Sequence, residues 1–156
     1  MSIFPTRILL ATDGSADAEL ALSTALDMAN STGSELHVLT VGPGNPDPVY
    51  RVYEAGLRYE TYEQALEAVE QEARKVLDGQ VRKVEEFGGK VAEAHLRMGE
   101  RRDQAIVRQA DEIGAGLIVM GSRGLGGFRR ALMGSVSDSV IRHAPRPVMI
   151  VCEPVR

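Results

Sequence analysis

Five short apolar runs alternate with stretches of helical period along this chain, and that alternation is its strongest constraint on fold. The runs lie at Arg7 to Thr12, Glu35 to Val41, Val91 to Met98, Leu117 to Met120 and Val148 to Cys152. Several are apolar without a break, as strands buried on both faces are. Between the first two, Ala18, Ala21, Leu22, Ala25, Leu26 and Ala29 recur at helical spacing. Ser15 stands where an N-cap would, Asp17 and Glu19 follow in the first turn, and Gly33 marks a helix stop. A long amphipathic pattern from Thr61 to Phe87 is carried by Leu66, Val69, Ala73, Val76, Leu77, Val84 and Phe87, with Gly88-Gly89 ending it. Helices are also expected around Arg102 to Ile113 and from about Ser135 to His143. The order βαβαβαβαβ predicts an α/β fold: an open five-stranded parallel sheet with helices on both faces.

Composition agrees with a globular chain. Apolar residues make up 44% and charged residues 26% of the 156, which is enough apolar side chain for a core. The net charge of −4 argues against a nucleic-acid-binding face. No apolar run approaches the length of a membrane span, and Met1-Ser2-Ile3-Phe4-Pro5 lacks the pattern of a leader, so a cytoplasmic location is expected. A single cysteine, Cys152, permits no intrachain disulfide and reads as a small buried hydrophobe. His37, His95 and His143 fall on different elements without metal-ligand spacing, so they read as structural or solvent-facing and no metal ligands are assigned. The stretch from 42 to about 60 is rich in proline and tyrosine without a period, and reads as a long loop.

The chemistry concentrates after the fourth run. Val119-Met120-Gly121-Ser122-Arg123-Gly124 is followed, nine residues later, by Gly134-Ser135 and then Val136 and Ser137. A strand that feeds a glycine-rich loop and then a helix N-terminus is suited to phosphate. Glycine lets the backbone approach the anion, and the first helical N–H groups lack intrahelical partners. Arg123, Arg129 and Arg130 add positive charge; Arg123 either meets a phosphate or lies in solvent, and the other two read as solvated. Neither a Walker-type loop nor Gly-x-Gly-x-x-Gly is present. Gly121, Gly124 and Gly134 are better read as binding than as turn glycines, and Ser135 can serve phosphate, cap the helix, or both. Asp13, after the first run, either meets the ligand or helps start the first helix.

Gly-x2-Gly-x9-Gly-Ser, with Asp13 in Arg7-Ile8-Leu9-Leu10-Ala11-Thr12-Asp13-Gly14-Ser15 and the closing Pro145-Arg146-Pro147-Val148-Met149-Ile150-Val151, resembles the ATP-binding branch of the universal stress protein family. The resemblance spans essentially the whole chain, as one domain over 1–156. It implies a Rossmann-like, adenine nucleotide alpha hydrolase-like sheet of strand order 3-2-1-4-5, which brings the first and fourth strands together. It implies that Asp13 contacts the nucleotide near its adenosine end, that Ala11 and Thr12 line the same wall, and that the backbone at Val41 reads the adenine edge. Gly121, Arg123, Gly124, Gly134, Ser135, Val136 and Ser137 would hold the phosphates, Met120 is also placed in the nucleotide site, and Mg²⁺ or Mn²⁺ would be held mainly by phosphate oxygens. In that strand order the last strand is an edge, yet Val148 to Cys152 is apolar on both faces; a homodimer through it is expected, as in the family.

These readings converge on a regulatory or stress-response module that binds ATP and serves a protein partner the residues do not identify. The alternatives are a slow ATPase on the same fold and a dimeric scaffold without nucleotide. An enzyme would need a base and a charge stabiliser, for which only Asp13 and the loop arginines stand as candidates.

Overall fold

The computed structural model describes residues 1–43, 62–122 and 133–152. Among these, the elements are β1 (Arg7–Ala11), α1 (Ala16–Thr32), β2 (Glu35–Val41), α2 (Tyr62–Glu86), β3 (Glu93–Arg97), α3 (Arg102–Ile113), β4 (Leu117–Gly121), α4 (Ser135–His143) and β5 (Val148–Val151). All strand pairings are parallel, in the order β3-β2-β1-β4-β5. The expected topology is therefore the one observed.

Side-chain alternation along the strands separates two cores. Ile8, Leu10, Leu36, Val38, Leu117 and Val119 point to one face and meet α1 and α2 through Ala21, Leu22, Leu26, Leu77 and Val84. Leu9, Ala11, Leu39, Ile118 and Met120 point to the other and meet α3 and α4 through Ile106, Ala110 and Val140. The central strands β1 and β4 thus have both faces covered, which is why they are apolar from Ile8 to Ala11 and from Leu117 to Met120. Helix α1 starts at Ser15, whose Oγ accepts from Ala18 N, and stops at Gly33 in the left-handed region (φ 66°), where the cap N–H donates to the Ala29 carbonyl.

Two expectations need correction. The buried stripe of α2 runs through Ala65, Ala73, Leu77, Gln80 and Val84, whereas Leu66 and Phe87 are exposed. Helical spacing alone assigned both to the apolar face, but Leu66 lies near the start of the helix and Phe87 one residue past its end. Cys152 is an exposed free thiol rather than a buried hydrophobe. The sheet pairing ends at Gly121 with Val151, one residue short of it. His37 and His95 fall on different elements, as expected, and the β2–β3 register brings them side by side, with Nδ1 of His37 3.1 Å from Nε2 of His95. The long 42–60 loop lies almost wholly outside the described residues.

The α3–α4 layer is closed by a charged hydrogen bond. Ser139 Oγ donates to Asp103 Oδ2 at 2.6 Å, and this bond is the first cause holding the Asp103 carboxyl below its ordinary value. A carboxylate with a depressed folded pKa contributes stability above its unfolded pKa and loses it as pH falls. Ser139→Ala should therefore cost about 1.5 kcal/mol in urea unfolding at neutral pH. The difference from wild type should shrink as pH is lowered below about 4, and a pH-independent difference would refute the assignment.

Candidate functional site

β1 and β4 lie side by side at the sheet centre, where the strand order reverses, and this is where an open parallel sheet offers its crevice. Ala11 is in register with Met120, so the chain leaves β1 at Thr12-Asp13 directly beside the exit of β4 at Gly121-Ser122. β2 joins the same rim: Thr12 N donates to the Leu39 carbonyl at 2.9 Å, and Thr40 Oγ1 donates to the Thr12 carbonyl at 3.2 Å. Val41 is thereby carried alongside Asp13.

The glycine at position 121 answers to a steric demand. A Cβ there would stand 3.0 Å from both the backbone carbonyl carbon and the Cβ of Asp17, tighter than ordinary contact. The first turn of α1 therefore packs directly on the end of β4. Ser122 locks the same contact, its Oγ donating to Asp17 Oδ2 at 3.0 Å with both residues buried. Asp17 also sits in the first turn of α1, where the helix dipole favours a carboxylate.

Helix α4 begins opposite. Gly134 N donates to the Ser122 carbonyl at 2.6 Å, tying the helix start to the strand end. The N-cap is Gly134 rather than Ser135, and it supplies no side-chain cap hydrogen bond. Ser135, Val136 and Ser137 are the first three helical residues, whose N–H groups find no acceptor four residues back within the helix. Ser135 is exposed and Val136 half-buried. Ser137 is buried, and its hydroxyl donates to the carbonyls of Gly121 at 2.8 Å and Ser122 at 3.2 Å. That hydroxyl hydrogen serves the scaffold, which leaves the backbone N–H as the donor available to a ligand.

Two other predicted residues are engaged locally. Asp13, half-buried, accepts from Ser15 N through Oδ1 at 2.9 Å, so it does help organise the start of α1. Thr12 is buried; its hydroxyl donates to Gln80 Oε1 on α2 at 3.0 Å and accepts from Gly14 N at 3.2 Å. Ala11, Thr12, Asp13, Val41, Met120, Gly121, Gly134, Ser135, Val136 and Ser137 thus converge at the carboxyl ends of β1, β2 and β4. Arg123 and Gly124, with Arg129 and Arg130, lie outside the described residues. The pattern reading missed Asp17 and Gln80; a polar side chain on the buried stripe of a helix was the available signal for each.

Across the α3 face of the sheet, burial pushes the His95 imidazole below its ordinary value, and Glu93 opposes that shift. No helix among the described residues is long and apolar enough to cross a membrane.

Gly121→Ala should lower stability by about 1–3 kcal/mol, because the methyl group meets backbone rather than a mobile side chain. Urea unfolding measures this, and a change below about 0.5 kcal/mol would show that α1 is not packed on β4 as described.

Comparison with known proteins places this geometry. Residues 5–151 match the model of the universal stress protein family. A Staphylococcus aureus protein (strain USA300) assigned to the universal stress proteins is 33% identical over 145 residues, which cover 93% of this chain and 82% of that one. The universal stress protein from Archaeoglobus fulgidus, solved in complex with dAMP, superposes with a TM-score of 0.64 at 26% identity, covering 96% of this chain and 99% of that one. A universal stress protein solved in complex with cAMP gives 0.58 at 25% identity, covering 97% and 99%. The chain belongs to the universal stress protein family.

Proposed function

We propose that this chain is an ATP-binding universal stress protein, acting as a nucleotide-dependent regulatory module. The observation that carries the reading is the start of α4. Three N–H groups in its first turn, on a helix capped by a glycine without a side-chain bond, stand at the end of β4 beside Asp13. A helix N-terminus of this kind favours anions through both its unpaired donors and its dipole. Relatives that bind dAMP and cAMP support an adenine nucleotide as the anion's carrier.

In this reading the adenosine end lies against Ala11, Thr12, Asp13 and the backbone at Val41. A carboxylate such as Asp13 suits ribose hydroxyls or an amine and would repel phosphate, so the two ends of the nucleotide are sorted by charge. The phosphates lie towards Met120, Gly121, Gly134, Ser135, Val136 and Ser137, and the motif residues Arg123 and Gly124 complete their side. Mg²⁺ or Mn²⁺ would be held mainly by phosphate oxygens, which suits ions that bind through few protein ligands. Nucleotide binding would then alter the surface presented to a protein partner.

The assembly proposed is a homodimer through β5. Val148 to Val151 forms the sheet edge, every residue of it only half-buried, and an apolar edge strand is a template for a second copy. Sedimentation velocity should return twice the chain mass; a monomer across the micromolar range would rule the dimer out.

Ser135→Pro tests the nucleotide site with little risk to the fold. Proline is favoured at the first helical position, and Gly134 before it already has the extended backbone (φ −62°, ψ 153°) that a following proline requires. The substitution removes one N–H and one hydroxyl from the anion site. ATP–Mg²⁺ at about 100 times Kd should stabilise the wild type by roughly 2.7 kcal/mol. The melting temperature of the unliganded variant should be unchanged and its ATP response reduced. Equal shifts in both proteins would move the phosphates away from α4, and no shift in either would end the nucleotide reading.

A further inference from the structure

The β2–β3 edge carries a second cluster, separate from the crevice. His37 and Glu93 are cross-strand partners, and His95, two residues beyond Glu93, returns to the same face beside Leu39. One ligand atom from each of His37, Glu93 and His95 lies within 4.8 Å of the other two. His37 is buried, His95 half-buried and Glu93 exposed, so the cluster has a closed floor and an open mouth.

The two rings meet edge to edge. Their planes differ by only 11° and their centroids are 5.4 Å apart, well beyond the 3.1 Å between Nδ1 of His37 and Nε2 of His95. The neighbours fix where the protons sit. Arg97 Nε donates to Gln109 Oε1 at 2.8 Å, which turns the Gln109 amide nitrogen towards His95 Nδ1 at 3.2 Å. His95 Nδ1 must then accept, so His95 holds its proton on Nε2 and donates it to His37 Nδ1. His37 keeps its own proton on Nε2, which donates to Glu35 Oε2 at 3.2 Å. A single hydrogen thus lies between two imidazole nitrogens, with a carboxylate beside them.

We propose that this cluster binds a dication of the zinc type through Nδ1 of His37, Nε2 of His95 and a carboxylate oxygen of Glu93, leaving the fourth position to solvent. Two imidazoles and one carboxylate form an established ligand set for zinc with one open position. Zn–N bonds of about 2.0–2.1 Å at tetrahedral angles hold two nitrogens about 3.3 Å apart, close to the separation already present. A turn of each ring directs both lone pairs to a common point on the solvent side, where the exposed Glu93 has room to close on it. Glu35 on His37 Nε2 supplies the outer carboxylate that orients a ligating histidine. On binding, the His95 proton moves from Nε2 to Nδ1, and the Gln109 amide turns to accept it, giving up its bond from Arg97 Nε. No proton leaves the two rings. Arg97, the cation nearest this exchange, is already paired with Glu100 and Glu112.

Calorimetric titration of chelator-treated full-length protein with Zn²⁺, with a Co²⁺ titration followed by visible absorption, tests the site. One zinc per chain is expected, with a tetrahedral cobalt spectrum. His95→Ala should abolish binding, and Glu93→Gln, at an exposed position that does not endanger the fold, should weaken it about tenfold or more. Gln109→Glu sets a carboxylate behind His95 and should tighten binding about tenfold, the scale of an outer-shell partner. Cys152→Ser and His143→Ala should change nothing. Absence of stoichiometric binding, binding that survives both His95→Ala and Glu93→Gln, or binding lost with Cys152→Ser would each overturn the proposal. Circular dichroism of every variant separates loss of ligand from loss of fold.

Discussion

The parallel pairing of β1 with β4 is the contact on which the rest of this molecule depends. Ile8 to Ala11 lie in register with Leu117 to Met120, and this double row separates the two apolar cores. Because the chain winds outward from this pair in both directions, the exits of β1 and β4 open on one crevice with no helix between them. Neither exit is free to drift. Gly121 is pressed against the first turn of α1, Ser122 is bonded to Asp17, and Ser137 and Gly134 bring α4 back to the same two residues. The anion-binding end of α4 is therefore held by bonds made with scaffold groups, which leaves its backbone N–H groups for a ligand.

Much of this was legible in the residues because the fold is built from local signals that agree. Apolar runs bounded by Asp-Gly-Ser or Gly-Gly, a serine at the start of α1 and a glycine at its end each point to the element observed. Strand order is different in kind. Alternation predicts a parallel sheet but does not order it, and 3-2-1-4-5 came from the resemblance to a family. What periodicity could not supply was side-chain pairing across elements. Nothing in the spacing of His37 and His95, 58 positions apart, shows that a register will join them. Nor does the motif reveal that the Ser137 hydroxyl is spent on carbonyls of β4 rather than held for phosphate.

The ends of helices were the second source of error, for a related reason. Ser135 carries a typical capping side chain, yet Gly134 occupies the cap, because its N–H reaches the Ser122 carbonyl and sets the first turn one residue earlier. A serine cap would have placed an oxygen acceptor over the helix's own donors. With glycine at the cap, those donors have no competing side chain. The same logic distinguishes α1, where Ser15 does close the first turn and Asp17 adds negative charge. Of the two helices flanking the crevice, α1 offers a satisfied, acidic start and α4 an open one, so an anion has one preferred side.

Charge and burial also separate the crevice from the β2–β3 edge. At the crevice the described donors are mainly backbone groups on rigid elements, suited to an oxyanion whose charge they share. At the edge they are imidazoles and carboxylates on neighbouring strands, suited to a cation. Between the two, β2 is continuous: His37 sits near its start and Val41 at its end, and both point to the α3 face along with Leu39. A strand with Leu39 fully buried and paired on both sides does not bend independently at its ends. A ligand that rigidifies the His37 end therefore steadies the rim on which Val41 lies. Any coupling between the two sites would run along the paired backbones of β2, from His37 to Val41, and β3, from His95 to Arg97, over about two to four residues at 3.3 Å each.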